Sequence, residues 1–283
     1  MRLYLLPVST RRTLLYAQRL DASPASASSR PGQRSLADKT TAWAAAKWAQ
    51  WEKQESGWQR KVVDYGNHAF RRIPFEEWGL KSVPPLSARR RDDERAGRET
   101  VQLVFPAGLV APDRVRALAL RLATERLALH RKRMVWCFVG MPATLPFVLI
   151  PVIPNLPFFY LVYRAWSHWR AIAGGRHVQW LVENKLLLPS PSKTLDQLYG
   201  PDAPGTAAAG EDPTAPETML LTRKQVRAFS NALDLPPLEI ELERAIWQVE
   251  RALSEQRPPA GDGQESSPTS APPDEKRSQD EKR

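Results

Sequence analysis

The sequence predicts a mainly α-helical membrane protein with one proline-broken transmembrane or re-entrant segment, amphipathic soluble helices and a short two-stranded β element. The membrane segment is Met134–Tyr163, which contains no charged side chain. At about 30 residues, this run exceeds the ~20 that cross a bilayer as a helix. Basic residues flank both ends, so a single kinked span and a hairpin both remain open. Because the mean hydropathy of the whole chain is −0.45, we expect the remainder to be polar.

Prolines interrupt this segment and distinguish it from a plain anchor. A proline removes a backbone donor and clashes with the preceding helical turn. The prolines become most closely spaced around Asn155, and unwound backbone inside a membrane is tolerated where it lines a cavity. Transporters use such breaks to bind cations. The alternative is that Asn155 is an ordinary turn residue that bonds its own backbone. The candidate ion-path residues are Pro151, Pro154, Asn155 and Pro157.

Aromatic and basic side chains follow the apolar run at helical spacing. Amphipathic rings collect at membrane–water boundaries, where neighbouring arginines reach lipid headgroups. We therefore predict a set of interfacial anchors at the end of the segment. They are Tyr160, Tyr163, Arg164, Trp166, Trp169 and Arg170.

Two histidines, His130 and His168, lie on either side of the segment. Imidazole is the side chain whose ordinary pKa lies nearest to neutral pH, so both are candidates for proton handling. The simpler interpretation is that they lie at the membrane interface without such a role.

The charge balance predicts an anionic partner surface. The chain has 41 lysines and arginines against 31 acidic residues, a net charge of +10. Beside a membrane segment, this excess favours anionic lipids such as cardiolipin, at about 1 kcal/mol per basic residue near the surface. No base-reading motif accompanies the charge, so nucleic acid is not an expected partner. One apolar run cannot enclose an ion path by itself, so we expect protein partners or a homo-oligomer.

The reactive residues predict neither an enzyme nor a cofactor or metal protein. Cys137 is the only cysteine, which excludes an intramolecular disulfide and a thiolate metal cluster. The four histidines do not follow a metal-site spacing. The chain has no glycine-rich phosphate loop and no nucleophile elbow.

The first half of the chain predicts two strands and two long helices. Leu3–Pro7 and Val101–Phe105 are short apolar runs that we expect to pair. The basic N-terminal segment is typical either of a mitochondrial import signal or of a strand followed by a helix from about Thr10. A helix with a stripe of tryptophans is predicted for Leu36–Arg72. This stripe would either pack on a neighbouring helix or lie at a membrane interface. A second helix begins near Ala111 and should run into the apolar segment as a continuous rod.

The second half predicts shorter helices separated by linkers. Gly174 and Gly175 should end the helix that follows the apolar run, and His177–Leu188 should form another amphipathic helix. The predicted division is a main domain at 1–200, a flexible linker at 201–216, a helical hairpin at 217–256 and a disordered tail at 257–283. The hairpin begins with a capping box at Thr222 and is too small to be stable alone, so it should dock on the main body or a partner.

Two stretches of the sequence resemble a known family. MRLYLLPVSTRRTLLYAQR at the start and PFVLIPVIPNLPFFYLVYRAWSHWRA in the middle look like the mitochondrial K⁺–H⁺ exchange-related family of fungi. The resemblance extends through PSPSKTLDQLY, so it covers roughly residues 1–200. Because it begins at Met1, it favours a folded N-terminus over a disposable presequence.

The resemblance implies a component of the inner-membrane K⁺/H⁺ exchange system. Such a protein would support potassium and proton transport and mitochondrial ion and volume homeostasis, with K⁺ and H⁺ as the transported ions. The alternative is a membrane-tethered scaffold or assembly factor without transport activity. No EF-hand loop occurs, so calcium control is not implied.

Overall fold

The computed structural model describes residues 1–18, 50, 57, 72–144, 156–200 and 216–256. Its centre is a four-stranded sheet in the order β2-β1-β3-β4. The strands are β1 (Arg2–Pro7), β2 (Thr13–Gln18), β3 (Val101–Phe105) and β4 (Leu187–Pro191). The β1–β2 pair is antiparallel, whereas β1–β3 and β3–β4 are parallel. Strand β1 is buried from Leu3 to Pro7, which explains its continuous apolar sequence.

Helices cover the sheet and pack on one another. Within the described residues they are α1 (Phe75–Ser82), α2 (Ala88–Arg95), α3 (Val115–Thr124), α4 (Leu127–Ala143), α5 (Leu156–Glu183), α6 (Lys193–Tyr199), α7 (Val226–Leu233) and α8 (Pro236–Gln256). The longest, α5, packs against α1, α3 and α4, while α1 packs on strand β2. Helices α4 and α5 run antiparallel, since His130 meets His168 and Gly140 lies against Leu161.

Two adjacent glycines allow α5 to approach its neighbours closely. A Cβ atom on Gly174 would lie 2.0 Å from the carbonyl oxygen of Leu80 in α1. A Cβ on Gly175 would lie 2.5 Å from the carbonyl oxygen of Ala123 in α3. Such distances are far inside van der Waals contact, so only glycine fits at this crossing. The prediction that these glycines end the helix is therefore wrong, because α5 continues through them to Glu183.

The C-terminal helices belong to the same hydrophobic core as the sheet. A β-bridge joins Ser9 to Met219. Phe229 of α7 and Leu242 and Ile246 of α8 are fully buried, in one cluster with the strand residues. The predicted capping box forms only in part: the Thr222 backbone N–H donates to the side chain of Gln225 at 3.0 Å, but the helix begins at Val226, with Gln225 as its N-cap residue and no side-chain cap. The expected helical hairpin therefore packs on the main body of the chain.

The predicted fold class is wrong, because the protein is mixed α/β with a four-stranded sheet rather than mainly α. Among the described residues, no helix has both the length and the low charge that crossing a bilayer requires. The uncharged run does not form one helix: α4 ends at Ala143, and α5 begins at Leu156. Each of these helices also extends into charged sequence. Residues 145–155 lie outside the described part of the chain.

The β structure is twice as large as predicted, and three helix predictions change. Thr13–Gln18 and Leu187–Pro191 are strands, where the sequence suggested the first helix and the end of a later one. The continuous rod predicted from Ala111 is wrong, since it divides into α3 and α4 at residues 125–126. Of the tryptophan-striped helix predicted for Leu36–Arg72, only residues 50, 57 and 72 are described.

Candidate functional site

A buried carboxylate, Glu77 of α1, organises a polar cluster between α1, α4 and α5. Its side chain is fully buried. Arg164 of α5 donates to both oxygens, from Nη1 to Oε1 at 2.8 Å and from Nη2 to Oε2 at 3.2 Å. The Ser167 hydroxyl also donates to Oε1. Burial alone would raise the pKa of Glu77, but the hydrogen bonds from Ser167 and Arg164 hold it below its ordinary value. Glu77 is therefore an ionised carboxylate.

The two histidines that the sequence singled out meet in this cluster. His130 Nδ1 and His168 Nδ1 lie 3.1 Å apart, and both side chains are buried. Arg164 Nη2 lies 3.1 Å from His168 Nε2. Because a guanidinium only donates, Nε2 of His168 is the acceptor, and its proton is on Nδ1. That N–H donates to His130 Nδ1, which leaves the His130 proton on Nε2.

The hydrogen-bond pattern makes both imidazoles neutral. Nε2 of His130 is buried and has no hydrogen-bond partner among the described residues. Burial, with the charge of Arg164 added, lowers the pKa of His168 to about 4. Burial also lowers the pKa of His130, and neighbouring arginines add to this effect. A proton added to the pair would have to share the cluster with the permanent charge of Arg164.

Lys81 extends the cluster by one helical turn of α1. Its Nζ donates to the Ser167 hydroxyl at 3.0 Å and to the Tyr163 hydroxyl at 3.4 Å. The ammonium also lies 3.1 Å from the centroid of the Trp78 ring, a cation–π arrangement. A chain of hydrogen bonds therefore runs from Lys81 through Ser167 and Glu77 towards the histidine pair.

The distances within the cluster resemble those of a metal centre, but its chemistry opposes one. Glu77 Oε2 lies 3.6 Å from His168 Nδ1 and 3.9 Å from His130 Nδ1. If Nδ1 of His168 coordinated a metal ion, the proton of this imidazole would have to be on Nε2, where it would face the N–H of Arg164. A divalent cation would also add its charge beside Arg164, whose own charge already balances Glu77. The donor set therefore fits a hydrogen-bonded cluster better than a metal ion.

The predicted anchor residues divide between the surface and the interior. Tyr160, Trp166 and Trp169 are exposed. Arg164 lies in the interior, as described above, rather than among the exposed groups. Arg170 turns inward and donates to the carbonyl oxygen of Lys81 at 3.1 Å. The predicted Tyr163 is half-buried beside Lys81.

The predicted ion-path residues are largely outside the described part of the chain. Pro151, Pro154 and Asn155 fall in the range that the structure does not describe. Pro157 lies in the first turn of α5 and is exposed. The ion path therefore stays a prediction.

An exposed apolar surface lies on the same two helices, from the level of the histidine pair to the ends at which α4 stops and α5 starts. We call it the α4–α5 surface. Trp136 is 64% exposed, and Phe159 is 61% exposed. Three exposed basic residues, 131–133, lie on α4 next to it. The members of the surface are Val135, Trp136, Phe138, Val139, Phe159, Tyr160, Val162, Trp166 and Trp169.

Sequence reasoning found the histidines but missed Glu77, Lys81 and Ser167. The signal was local spacing: Glu77 and Lys81 are four residues apart, which places them on one face of α1. Arg164, Ser167 and His168 likewise share one face of α5. Neither pattern indicates that the two faces meet, because that contact depends on the glycine crossing of α5 with α1.

Fold and site together define a mixed α/β protein with a buried Glu–Arg–His cluster and an exposed aromatic surface. The chain belongs to the mitochondrial K⁺–H⁺ exchange-related family, whose model matches residues 2–182. This confirms the resemblance seen in the sequence. The family relates the protein to mitochondrial K⁺–H⁺ exchange and associates it with mitochondria.

Two fungal proteins are similar to this chain. An uncharacterized protein of Saccharomyces cerevisiae is 26% identical over 236 residues, which cover 72% of each chain. An uncharacterized protein of Schizosaccharomyces pombe is 33% identical over 127 residues, 45% of this chain and 54% of the relative. No solved structure matches the chain significantly.

Proposed function

We propose that the protein is a component of the mitochondrial K⁺/H⁺ exchange system and acts at the surface of the inner membrane. In this role it would support potassium and proton movement and, through them, mitochondrial ion and volume homeostasis. The observation that carries the membrane part of the proposal is the α4–α5 surface. The family membership supports the exchange part.

The composition of the α4–α5 surface favours lipid as its partner. Nine large apolar side chains of this surface are exposed, and large exposed apolar areas mark sites of protein or membrane interaction. Tryptophan and tyrosine, which contribute four of its members, are the residues that collect at the boundary between headgroups and acyl chains. The adjacent basic residues 131–133 suit anionic headgroups, including those of cardiolipin. We therefore place the ends of α4 and α5 against the lipid.

Ion movement would require more than one copy of this chain or other subunits. Helices α4 and α5 form a single antiparallel pair, and two helices do not enclose a path for an ion. The proposal therefore includes a homo-oligomer or protein partners in the membrane.

Vesicle flotation tests the membrane part of the proposal. We expect the full chain to float with vesicles that contain cardiolipin and to bind less well to vesicles of neutral lipid. Trp136→Glu places a charge in the α4–α5 surface and should reduce flotation by about tenfold or more, since a charge at the interface is costly. The matched control is Ile240→Glu on α8, where the side chain is equally exposed, at 62%. Equal binding by both variants would contradict the proposal.

Swelling of isolated mitochondria in potassium acetate tests the exchange part. We expect mitochondria that lack the protein to swell more slowly and to recover when the wild type is restored. Trp136→Glu should restore less than Ile240→Glu does. Unchanged swelling in the absence of the protein would favour a membrane-tethered scaffold or assembly factor.

A further inference from the structure

Lys81 is a buried lysine without a carboxylate partner. Its side chain is 7% exposed and lies between the rings of Trp78 and Tyr163. Its two hydrogen bonds go to the hydroxyls of Ser167 and Tyr163. In the part of the chain that the structure describes, Lys81 forms no ion pair. Buried ammonium groups are normally paired, so this arrangement requires an explanation.

The explanation lies in a competition between two cations for one buried carboxylate. The Ser167 hydroxyl links Lys81 to Glu77, but Arg164 holds both oxygens of this carboxylate. The planar guanidinium matches a carboxylate better than an ammonium does, and it stays protonated at every accessible pH. Glu77 and Arg164 therefore balance each other, and a proton on Lys81 gives the cluster a net positive charge. Of the cations here, only the lysine can remove that charge by losing its proton.

The other charged groups near Lys81 come from three helices. Glu77 lies on the same helix, and Arg164 lies on α5. Glu241 and Arg244 of α8 face it from the third side and form an ion pair with each other. Arg244 also stacks on Trp78, with its guanidinium carbon 4.4 Å from the ring centroid. Each of the two carboxylates is thus already paired with an arginine.

Burial is the largest influence on this amine. It lowers the pKa of Lys81 to about 7, while the nearby carboxylates oppose the change and the arginines add to it. The neutral amine keeps its hydrogen bonds, because it still has N–H groups for Ser167 and Tyr163, and loses the cation–π attraction to Trp78. Both protonation states therefore fit the same buried position between α1, α5 and α8.

We propose that Lys81 is a proton-binding site that loads and releases one proton inside the folded protein. The proton is held by the amine, between the aromatic rings and the Ser167 hydroxyl. This inference deepens the proposed function, on which its relevance rests, because it names the residue at which H⁺ would act in an exchange system. Tyr163 of α5 connects this site to the α4–α5 surface, since its ring lies 6.0 Å from that of Trp166 in that surface.

An NMR titration of the full chain with ¹³C-labelled lysine tests the proposal directly. The probe is the proton itself, and the Cε signal of each lysine reports its charge. Lys81→Met assigns the signal by removing it. We expect a midpoint near pH 7 for that signal. Lys132→Met is the matched control, because it removes an exposed lysine on α4. A Lys81 midpoint above about 9, close to the ordinary lysine value, would overturn the proposal.

Arg164→Met tests the cause of the effect. Removing the guanidinium frees Glu77 to pair with Lys81, so the Lys81 midpoint should rise by about 1–3 pH units. A midpoint that stays near 7 in a folded variant would show that competition for Glu77 is not the cause and would overturn that argument. If this variant does not fold, the wild-type titration still decides the proposal.

The titration and the vesicle experiment fail independently of each other. A protein that floats with cardiolipin vesicles but has a Lys81 midpoint above about 9 would keep the proposed function and lose this proton site. A midpoint near 7 without flotation would keep the proton site and remove the membrane part of the proposed function.

Discussion

At the scale of single residues, Arg164 determines the state of its neighbours. Its bidentate contact fixes Glu77 as an anion, and a further N–H, on Nη2, fixes the tautomer of His168. Through that tautomer it also determines which nitrogen of His130 carries a proton. Burial is the main reason that both imidazoles are neutral, and the charge of Arg164 adds to it. The cluster has low tolerance for a further positive charge, which makes it sensitive to acid.

His168 should contribute to the pH dependence of stability in a defined window. Its pKa is about 4 in the folded state, against an ordinary value of about 6.5. Between these values the unfolded chain binds more protons than the folded protein does. The free energy of unfolding therefore rises with pH across this window, and it falls as the pH is lowered. On going from pH 7 to pH 5, the free energy of unfolding should therefore fall less in His168→Gln than in the wild type, and the difference should be about 1–2 kcal/mol.

Chemical denaturation at pH 7 and pH 5 measures this difference. The matched control is His177→Gln, which removes another buried histidine outside the cluster. His177 is bonded to Glu94 and to the carbonyl oxygen of Pro84. This control leaves the contribution of His168 in place. An equal reduction of the acid sensitivity in both variants would contradict the assignment to His168.

At the scale of elements, the glycine pair of α5 shows why local patterns misled. A Gly-Gly sequence commonly ends a helix, and this one does not. What it provides is a close crossing, with α1 against Gly174 and α3 against Gly175. The stability of such a crossing depends on partners that are distant in sequence. A single sequence read locally contains no information on them.

The glycine crossing leads to a prediction about packing. Gly174→Ala places a methyl group where the carbonyl oxygen of Leu80 lies, so α5 must shift away from α1. Overpacking of a tight core usually costs about 1–3 kcal/mol, and a clash with backbone belongs at the upper end. We expect a loss of about 3 kcal/mol in thermal or chemical unfolding.

A glycine elsewhere in the chain provides the control for this prediction. At Gly108 the nearest atom to an added Cβ is a side-chain oxygen of Asp196 at 3.5 Å, an ordinary contact. Gly108→Ala should therefore change stability by less than about 0.5 kcal/mol. If Gly174→Ala were equally mild, α5 would not cross α1 as closely as described.

At the scale of the whole molecule, the sequence predicted several elements but not the architecture. The strands Leu3–Pro7 and Val101–Phe105 were predicted within one residue of their bounds, because alternating or apolar β-branched runs are a local signal. Their pairing was also predicted, and the parallel contact between β1 and β3 confirms it. The four-stranded sheet was not predicted, since β4 joins β3 across more than 80 residues of chain. The apolar run was misread because length and lack of charge do not reveal that its two ends lie on antiparallel helices.

The candidate site, like the fold, was predicted only in part. His130 and His168 were identified because histidines beside an apolar run are chemically conspicuous. Their contact, at 3.1 Å, follows only from the antiparallel packing of α4 on α5. The carboxylate that organises them comes from α1, which is separated from α4 by helix α2, strand β3 and helix α3. A local pattern cannot supply that third partner.

The C-terminal helices should unfold together with the sheet as one cooperative unit. Ile246 of α8 is fully buried within the common core, whereas Ile240 on the same helix is 62% exposed. Ile246→Ala should therefore lower the free energy of unfolding of the whole protein by about 2–5 kcal/mol, because it leaves a cavity. Ile240→Ala should change it by less than about 0.5 kcal/mol.

Two probes distinguish cooperative unfolding from a separately unfolding hairpin. The fluorescence of Trp247 of α8, in a variant that retains only this tryptophan, reports on the C-terminal helices. Far-ultraviolet circular dichroism reports on the whole chain. In Ile246→Ala, both signals should change at the same, lowered denaturant concentration, because the hairpin and the sheet share buried side chains. If the Trp247 signal alone moved to lower denaturant, residues 217–256 would be a separate unit, and the single core described above would be contradicted.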